Sequence, residues 1–380
     1  MVERISLPLP GPTPGTSRAL GVLRYGRQGA RPKAYLQAAL HADELPGVVV
    51  LDHLARLLDR AEAEGRITGE IILVPLANPI GLGQRIGGMA FGRFDLDGGG
   101  NFNRHYRDYA PAALAVADDL GADPVMDAAR VREALSAAWA GTKPPPGEVA
   151  ALRHALQGLA LDADLALDLH CDLDAVVHLY GATADWPAAE DIARLLGAEA
   201  VLLADHSGDQ PFDESLSAPW TALAARRGAP LPGRCLALTV ELRGAAEVDD
   251  ALAAKDAQAL AEVLTRRGLI SGISGGTASL PGWQGRVCPL TAVDMVVAPV
   301  SGVMIYKRPV GAMVETGEVI GEILDPLAEG AARRVGVLAA TGGPIFARLS
   351  DQRLVRAGDV VCKIAGQAPL AHRTGTLLTA

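Results

Sequence analysis

The feature that most restricts the fold of this 380-residue chain is a change of hydrophobic pattern near residue 280. Before it, short apolar segments typical of buried strands alternate with segments whose apolar residues recur three and four positions apart, as in amphipathic helices. After it, the helical period disappears, and short segments rich in valine and isoleucine alternate with glycine turns. The pattern therefore predicts two domains, residues 1–280 and residues 281–380.

The first predicted domain alternates between strands and helices. Strands are predicted at 34–40, 70–76, 164–170, 174–180, 201–205 and 235–242, and helices at 45–65, 111–160 with a break at 142–147, 192–198 and 249–267. Such alternation favours an α/β sandwich with a mostly parallel sheet between layers of helices. A long glycine-rich loop from Gly81 to Asn103 interrupts this order, and loops of that length tend to be functional.

The second predicted domain contains an internal repeat with an offset of 41 positions. The matching pairs are Gly302 and Gly343, Val314 and Val355, Gly317 and Gly358, Val319 and Val360, and Ile323 and Ile364. The two halves predict a small all-β barrel or sandwich. The paired glycines would serve turns that need positive φ.

Three polar residues lie at the ends of two predicted strands. His41 and Glu44 belong to the segment HADE after the first strand, and His170 ends DLALDLH. Open α/β sheets bind ligands outside the carboxyl ends of their strands. Two histidines and one glutamate are a known ligand set for catalytic zinc, which leaves a position for water and lowers its pKa. We expect one Zn²⁺ per chain here, although HxxE alone is a weak pattern and ordinary polar roles are the alternative.

Glu241 ends the apolar segment LALTVEL. A carboxylate there is costly to bury unless it is paired or functional. Beside an activated water it would act as a general base and then pass the proton to a leaving amine. The alternative is a salt bridge with Arg243. Asp168 shares a strand face with His170 and would orient that imidazole, or serve a structural role.

The glycine-rich loop ends in GGGNFNRHY, which contains Asn103 and Arg104. The guanidinium group binds a carboxylate through two parallel hydrogen bonds, and the amide adds a donor. The pair is therefore a candidate for holding a substrate carboxylate. Arg85 and Arg93 lie in the same loop and would complete this clamp, and each has an alternative role as a solvated surface arginine.

The motifs HADE, NFNR, DLH and TVEL, in this order, resemble the succinylglutamate desuccinylase/aspartoacylase family of the zinc carboxypeptidase superfamily. The resemblance covers about residues 30–270, with Ala42 in place of the glycine of the family's HGxE turn. It implies a mixed sheet of the zinc-carboxypeptidase type, flanked by helices and followed by a C-terminal β domain. The residue roles that it implies are zinc ligation by His41, Glu44 and His170, carboxylate binding by Asn103 and Arg104, and general base catalysis by Glu241.

The resemblance implies a zinc-dependent amidohydrolase that removes an acyl group, such as acetyl or succinyl, from a small N-acyl amino acid. A metallocarboxypeptidase acting on short peptides would use the same residues. A third hypothesis is a non-catalytic zinc-binding or interaction protein. Residues 281–380 also resemble biotinyl/lipoyl-type barrels, but no Met-Lys-Met lies between the two halves, so we expect no attached cofactor.

Composition and charge limit the kinds of partner and the cellular location that we expect for the protein. The formal net charge of −9 disfavours nucleic acid, whose phosphates an acidic surface repels. The sequence has no stretch of 18 apolar residues, so no membrane span is expected. Four separated cysteines without a CxxC pair, and an N-terminus without an apolar signal segment, favour a cytoplasmic location. The sequence is compatible with a homo-oligomer.

Overall fold

The computed structural model describes residues 2–98, 100–271, 279–349 and 353–378. The strands up to residue 289 are β1 (Glu3–Leu9), β2 (Arg18–Tyr25), β3 (Lys33–Ala38), β4 (Glu70–Val74), β5 (Arg85–Ile86), β6 (Met89–Ala90), β7 (Leu165–Asp172), β8 (Asp174–Ala175), β9 (His178–Gly181), β10 (Ala200–Leu203), β11 (Leu236–Gly244) and β12 (Arg286–Pro289). Most of them join one large sheet with the order β1-β2-β4-β3-β7-β11-β9-β10-β12.

This sheet is mixed. Strands β4, β3, β7 and β11 run parallel to one another, and β9, β10 and β12 form a second parallel group. The pairs β1–β2, β2–β4 and β11–β9 are antiparallel. The mixed sheet flanked by helices that the sequence predicts is therefore confirmed.

The helices cover both faces of the sheet. They are α1 (Pro46–Ala63), α2 (Pro79–Leu82), α3 (Ala110–Ala115), α4 (Pro124–Ala140), α5 (Glu148–Ala160), α6 (Glu190–Leu196), α7 (Phe212–Arg227) and α8 (Asp250–Arg266). Helices α1, α6 and α8 pack with one face of the sheet into one apolar cluster, and α3, α4, α5 and α7 pack with the other face into a second. In the described ranges no helix is both long and apolar enough to cross a membrane.

Burial on both faces of the sheet explains why strands β3, β7 and β11 consist mainly of apolar residues. Every residue of β3 is buried, and β7 and β11 are buried along nearly their whole length. A strand covered on both faces cannot show the alternation of a half-exposed strand. Because the strands are parallel neighbours, their carboxyl ends meet at one edge of the sheet, and His170 and Glu241 lie toward those ends of β7 and β11.

The C-terminal strands confirm a predicted all-β fold. They are β13 (Val293–Val297), β14 (Gly302–Tyr306), β15 (Met313–Val314), β16 (Val319–Leu324), β17 (Arg334–Leu338), β18 (Gly343–Arg348), β19 (Leu354–Val355) and β20 (Val360–Ala365). They form one sheet with the order β13-β20-β18-β15 and a second with the order β17-β16-β14-β19, around a shared apolar core.

The repeat of 41 positions is visible in these strands. Strands β14, β15 and β16 of the first half match β18, β19 and β20 of the second. Gly317 and Gly358 occupy equivalent turns with φ of 83° and 91°. Gly302 also has positive φ, at 154°, whereas its partner Gly343 does not belong to the positive-φ residues. Gly343 instead faces backbone, because an added Cβ would lie 2.0 Å from the carbonyl oxygen of Ala365.

Two strand pairings join residues 281–380 to the first part of the chain. Strand β12 adds to the edge of the large sheet beside β10, and β8 pairs with β18. The division at residue 280 stays a prediction, but the two predicted domains share strand pairing and pack against each other.

Several elements are absent from the sequence prediction. Strands β1 and β2 form an antiparallel edge in a segment whose prolines and glycines suggest loops. Helix α7 contains Pro219, and its first half buries Asp213, Glu214, Ser215 and Ser217. Because buried polar residues erase the apolar period, α7 gives no amphipathic signal.

The repeat makes a testable prediction about Gly317 and Gly358. Alanine at either position should destabilise the protein by a similar amount, about 1–2 kcal/mol, since a Cβ is unfavourable at positive φ even where it meets no other atom. Urea-induced unfolding measures this difference. The control is Gly282→Ala, where an added Cβ also meets nothing and φ is not positive. A large effect at only one of the two sites would contradict the equivalence.

Candidate active site

The turn that carries His41 and Glu44 is held tightly by backbone contacts. Strand β3 ends at Ala38, and Ala39 adopts a left-handed φ of 56°, which redirects the chain toward the site. The Asn78 side chain donates to the carbonyl of Leu40 at 2.9 Å, and the amide of Ala42 donates to the carbonyl of Gly92 at 3.0 Å. The position of the turn is therefore determined from both sides before α1 begins.

His41, Glu44 and His170 converge as the sequence predicts. Nδ1 of His41 lies 2.9 Å from Oε1 of Glu44, and Nδ1 of His170 lies 2.8 Å from Oε2 of the same carboxylate. All three side chains are buried, and their ligand atoms lie within 4.8 Å of one another. Two imidazole nitrogens and one carboxylate oxygen around one point are able to bind a metal ion.

A hydrogen bond on the far side of the His41 ring sets its tautomer. Asn101 Oδ1 accepts from the amide of Asn103 at 2.9 Å, which fixes its side-chain amide, and it lies 2.9 Å from Nε2 of His41. Because this oxygen accepts, Nε2 of His41 carries the proton and Nδ1 directs its lone pair at the cluster. Asp168 Oδ2 lies 2.9 Å from Nε2 of His170 on the far side of that ring.

The cluster also attracts a cation of the chain itself. Nη1 of Arg93 lies 3.1 Å from both Nδ1 of His41 and Oε1 of Glu44. A set of electron-pair donors that attracts a guanidinium group is also suited to binding a divalent cation. Glu44 Oε2 accepts one further hydrogen bond, from the amide of Cys171 at 3.1 Å.

Burial and neighbouring charges shift the pKa values of the cluster. Burial opposes the charged form of Glu44, yet His41 and His170 lower its pKa well below its ordinary value. Burial, followed by Arg93, lowers the pKa of His41. Burial also opposes charge on His170, but Asp168 and Glu44 raise its pKa well above its ordinary value. Glu44 is therefore ionised and available as a ligand.

Glu241 lies beside His170 in the sheet. The two residues are register partners on the parallel strands β11 and β7, and the pairing shifts immediately beyond, between Glu241 and Gly244. Oε2 of Glu241 is buried and has no hydrogen-bond partner in the part of the chain that the structure describes. Burial, then the charges of Asp172 and Glu44, raise the pKa of Glu241 to about 8. In its ionised form Glu241 would present Oε2 as an unpaired proton acceptor beside the candidate metal ligands.

Arg243, the alternative partner of Glu241, forms its salt bridge with a different residue. Arg243 adopts a left-handed φ of 61°, and its guanidinium pairs with Asp256 on α8. The salt bridge that would give Glu241 a purely structural role is therefore formed by another carboxylate.

Asn103 and Arg104 line the same cavity as the cluster and reach it from the loop that precedes α3. The Asn103 side chain accepts from the amide of Phe212 at 2.8 Å, and its Nδ2 lies 3.4 Å from Nε2 of His170. Arg104 is buried and donates to the carbonyl of Asn103 at 2.7 Å. Its Nε is buried without a hydrogen-bond partner among the described residues. A buried guanidinium with an unused donor is a suitable site for an anionic group.

The structure separates the two further arginines. Arg93 lines the same cavity as the cluster, Glu241, Asn103 and Arg104. Arg85 lies on the exposed hairpin of β5 and β6, donates to the carbonyl of Gly88 at 3.2 Å and does not line this cavity. The cavity has a volume of about 600 Å³, and the structure brings every predicted site residue except Arg85 to it.

Three residues of the site give no signal in the sequence. Asn101 orients His41 but is one of several asparagines in a loop. Asp213 on α7 lines the cavity, and burial, then Asp168, raise its pKa to about 7. Lys363 on β20 reaches the cavity from the C-terminal strands, where Nζ lies 2.8 Å from Asp172 Oδ2. Only tertiary packing brings these side chains together.

Known proteins share this fold. Residues 30–126 match the sequence model of the succinylglutamate desuccinylase/aspartoacylase catalytic domain. A structure assigned to that family from Shewanella amazonensis superposes with a TM-score of 0.82 at 27% identity, covering 96% of this chain and 98% of that one. One from Shewanella frigidimarina gives 0.81 at 25% identity, covering 96% and 97%. No curated protein matches the sequence.

The product-bound ectoine utilization protein EutE from Ruegeria pomeroyi shares the fold. Its TM-score is 0.67 at 21% identity, covering 96% of this chain and 95% of that one.

Gly92 provides a test of how the turn positions the cluster. An added Cβ would lie 2.2 Å from the amide nitrogen of Asp43 and 2.6 Å from the carbonyl carbon of Ala42, so Gly92→Ala must displace the turn. We expect at least about tenfold weaker binding of a divalent metal ion, since misplaced ligands cost affinity on that scale. Competition with a chromophoric chelator measures it. Gly100→Ala, where an added Cβ meets nothing, is the control, and equal affinities of both variants would contradict the role.

Proposed function

We propose that the chain is a member of the succinylglutamate desuccinylase/aspartoacylase family and a zinc-dependent deacylase that cleaves the amide bond of a small N-acyl amino acid. The observation that carries the proposal is the register of β7 and β11. It sets the unpaired carboxylate of Glu241 beside His170, one of three convergent metal ligands. A closed structural zinc site has four protein ligands, whereas this cluster has three and a proton acceptor next to it.

Each residue then has a defined task. His41, Glu44 and His170 would hold the ion, which when bound polarises a carbonyl oxygen and lowers the pKa of water. Oε2 of Glu241 takes the proton of the attacking water and returns it to the leaving nitrogen. A cation among the ligands favours the ionised form of Glu241 that this step needs.

The substrate would be oriented by the cationic side of the cavity. Arg104 presents its unused Nε, Asn103 presents its amide, and Arg93 adds a second guanidinium. Holding the amino-acid carboxylate there places the scissile amide over the cluster and the acyl group on the side of Glu241. Positioning of this kind can supply a large part of the rate enhancement.

The C-terminal strands favour small substrates over peptides. Met295, Leu349, Val360 and Lys363 line the cavity opposite the large sheet. A wall on that side limits the length of chain that can extend beyond the acyl group. This supports a deacylase over a metallocarboxypeptidase, which would use the same ligands and arginines.

Metal removal tests the proposal directly. The protein should release free amino acid from N-acyl amino acids, lose this activity after dialysis against a chelator, and regain it with one equivalent of Zn²⁺. Amine release followed by a fluorogenic reagent measures the rate. The same assay on short peptides serves as the comparison. Full activity in the metal-free protein, or faster cleavage of peptides, would exclude the proposed reaction.

Glu241→Gln separates catalysis from metal binding. The amide cannot accept a proton from water, so kcat should fall by about 10²- to 10⁴-fold, while Zn²⁺ binds as in the parent protein. Glu247→Gln is the control, because Glu247 is exposed and only accepts from the amide of Gly244. Unchanged turnover in Glu241→Gln would remove this residue from the mechanism.

A further inference from the structure

The cavity has two chemically different ends. The cationic end contains Arg93, Asn103 and Arg104, beside the metal ligands. The other end, which we call the apolar end, is lined by side chains from both parts of the chain: Leu202, Leu290, Met295, Leu349 and Leu378.

The register of the large sheet shows where the apolar end lies. Asp168 on β7 pairs with Thr239 on β11, Thr239 pairs with Tyr180 on β9, and Tyr180 pairs with Leu202 on β10. Paired residues present their side chains on the same face of a sheet. Of this row, Thr239, Tyr180 and Leu202 line the cavity, so its floor changes along the row from a hydroxyl to a phenol ring and an aliphatic side chain.

The length of this row sets the available space. Neighbouring strands are about 4.8 Å apart, so β10 lies about 14 Å from β7 and about 10 Å beyond the strand of Glu241. The apolar end is thus on the acyl side of the scissile amide if Arg104 and Asn103 hold the carboxylate. With carbon–carbon bonds of about 1.5 Å, this distance accommodates a chain of about six carbons.

The C-terminal part of the chain closes the apolar end. Met295 on β13 is the register partner of Lys363 on β20, so both face the cavity. The amides of Leu377 and Leu378 donate to the carbonyl of Ser207 at 2.7 and 3.0 Å, which holds Leu378 against the cavity.

Two charged groups that line the cavity near the apolar end, Lys363 and Glu214, already have partners. Lys363 Nζ lies 2.8 Å from Asp172 Oδ2. Glu214 Oε2 accepts from the amide and the hydroxyl of Ser207 at 2.8 and 2.7 Å. A terminal carboxylate on the acyl group would have to compete with Asp172 for Lys363. It would also approach the negative charges of Asp172 and Glu214. An uncharged chain meets no such competition.

We infer that the acyl group removed by this protein is an uncharged aliphatic chain of about six carbons, bound between Leu202 and the C-terminal wall. The inference rests on the proposed deacylase function and names its substrate class. It sets the protein apart from a deacylase specific for succinyl, whose acyl group carries a charge at its end.

A series of acyl groups on one amino acid tests the inference with the zinc-loaded protein. From N-acetyl to N-hexanoyl, kcat/KM should rise about threefold to fourfold for each added methylene, as expected for burial of a CH₂ group. N-butyryl and N-succinyl form a matched pair, since a methyl replaces the terminal carboxylate. N-butyryl should be at least about tenfold better.

The outcomes distinguish the two proposals. Turnover with a flat series, or with N-succinyl equal to or better than N-butyryl, would overturn the acyl preference and leave the deacylase function standing. No turnover of any acyl substrate would overturn both.

A variant pair locates the acyl chain in the cavity. Met295→Trp fills the apolar end and should lower the ratio of N-hexanoyl to N-acetyl kcat/KM by at least about tenfold. Met313→Trp is the matched control, because Met313 is 62% exposed on β15, at the opposite edge of the same sheet, and it should leave the ratio unchanged. Leu378→Trp provides a second test outside the strands. An unchanged ratio in both Met295→Trp and Leu378→Trp would overturn the assignment of this wall.

Discussion

The parallel pairing of β3, β7 and β11 is the constraint on which the site depends. Parallel neighbours end at the same edge of a sheet, so His41 after β3, His170 on β7 and Glu241 on β11 meet without long connections. The strands are apolar and covered by helices on both faces, which leaves them no other register that buries the same residues. The same packing that stabilises the fold therefore brings the reactive groups together.

Glu44 is the centre of the electrostatic arrangement. Its two oxygens contact His41, Arg93, His170 and the amide of Cys171, so no oxygen of this buried carboxylate lacks a partner. A buried carboxylate is tolerated only when it is compensated in this way. Glu241, by contrast, keeps an unpaired oxygen, and this difference between two neighbouring glutamates matches the ligand and proton-acceptor roles that we propose for them.

The C-terminal strands are more than an appended domain. The two repeated halves exchange strands, since β19 completes the sheet of β14 and β16, and β15 completes the sheet of β18 and β20. This closed unit packs on the large sheet through β8 and β18 and supplies one wall of the cavity.

Local sequence patterns are sufficient to predict the positions of several strands and four residues of the candidate site. Apolar segments located the central strands, the offset of 41 located the matched C-terminal strands, and polar residues at strand ends identified His41, Glu44, His170 and Glu241. Tertiary structure alone decided that Arg93 and not Arg85 lines the cavity, that Arg243 pairs with Asp256, and that Asn101 and Lys363 join the site. The physical reason is distance along the chain. The hydrophobic period of a segment reports which of its faces is buried. The contact between Asp172 and Lys363 depends instead on how two sheets that are far apart in the sequence pack together.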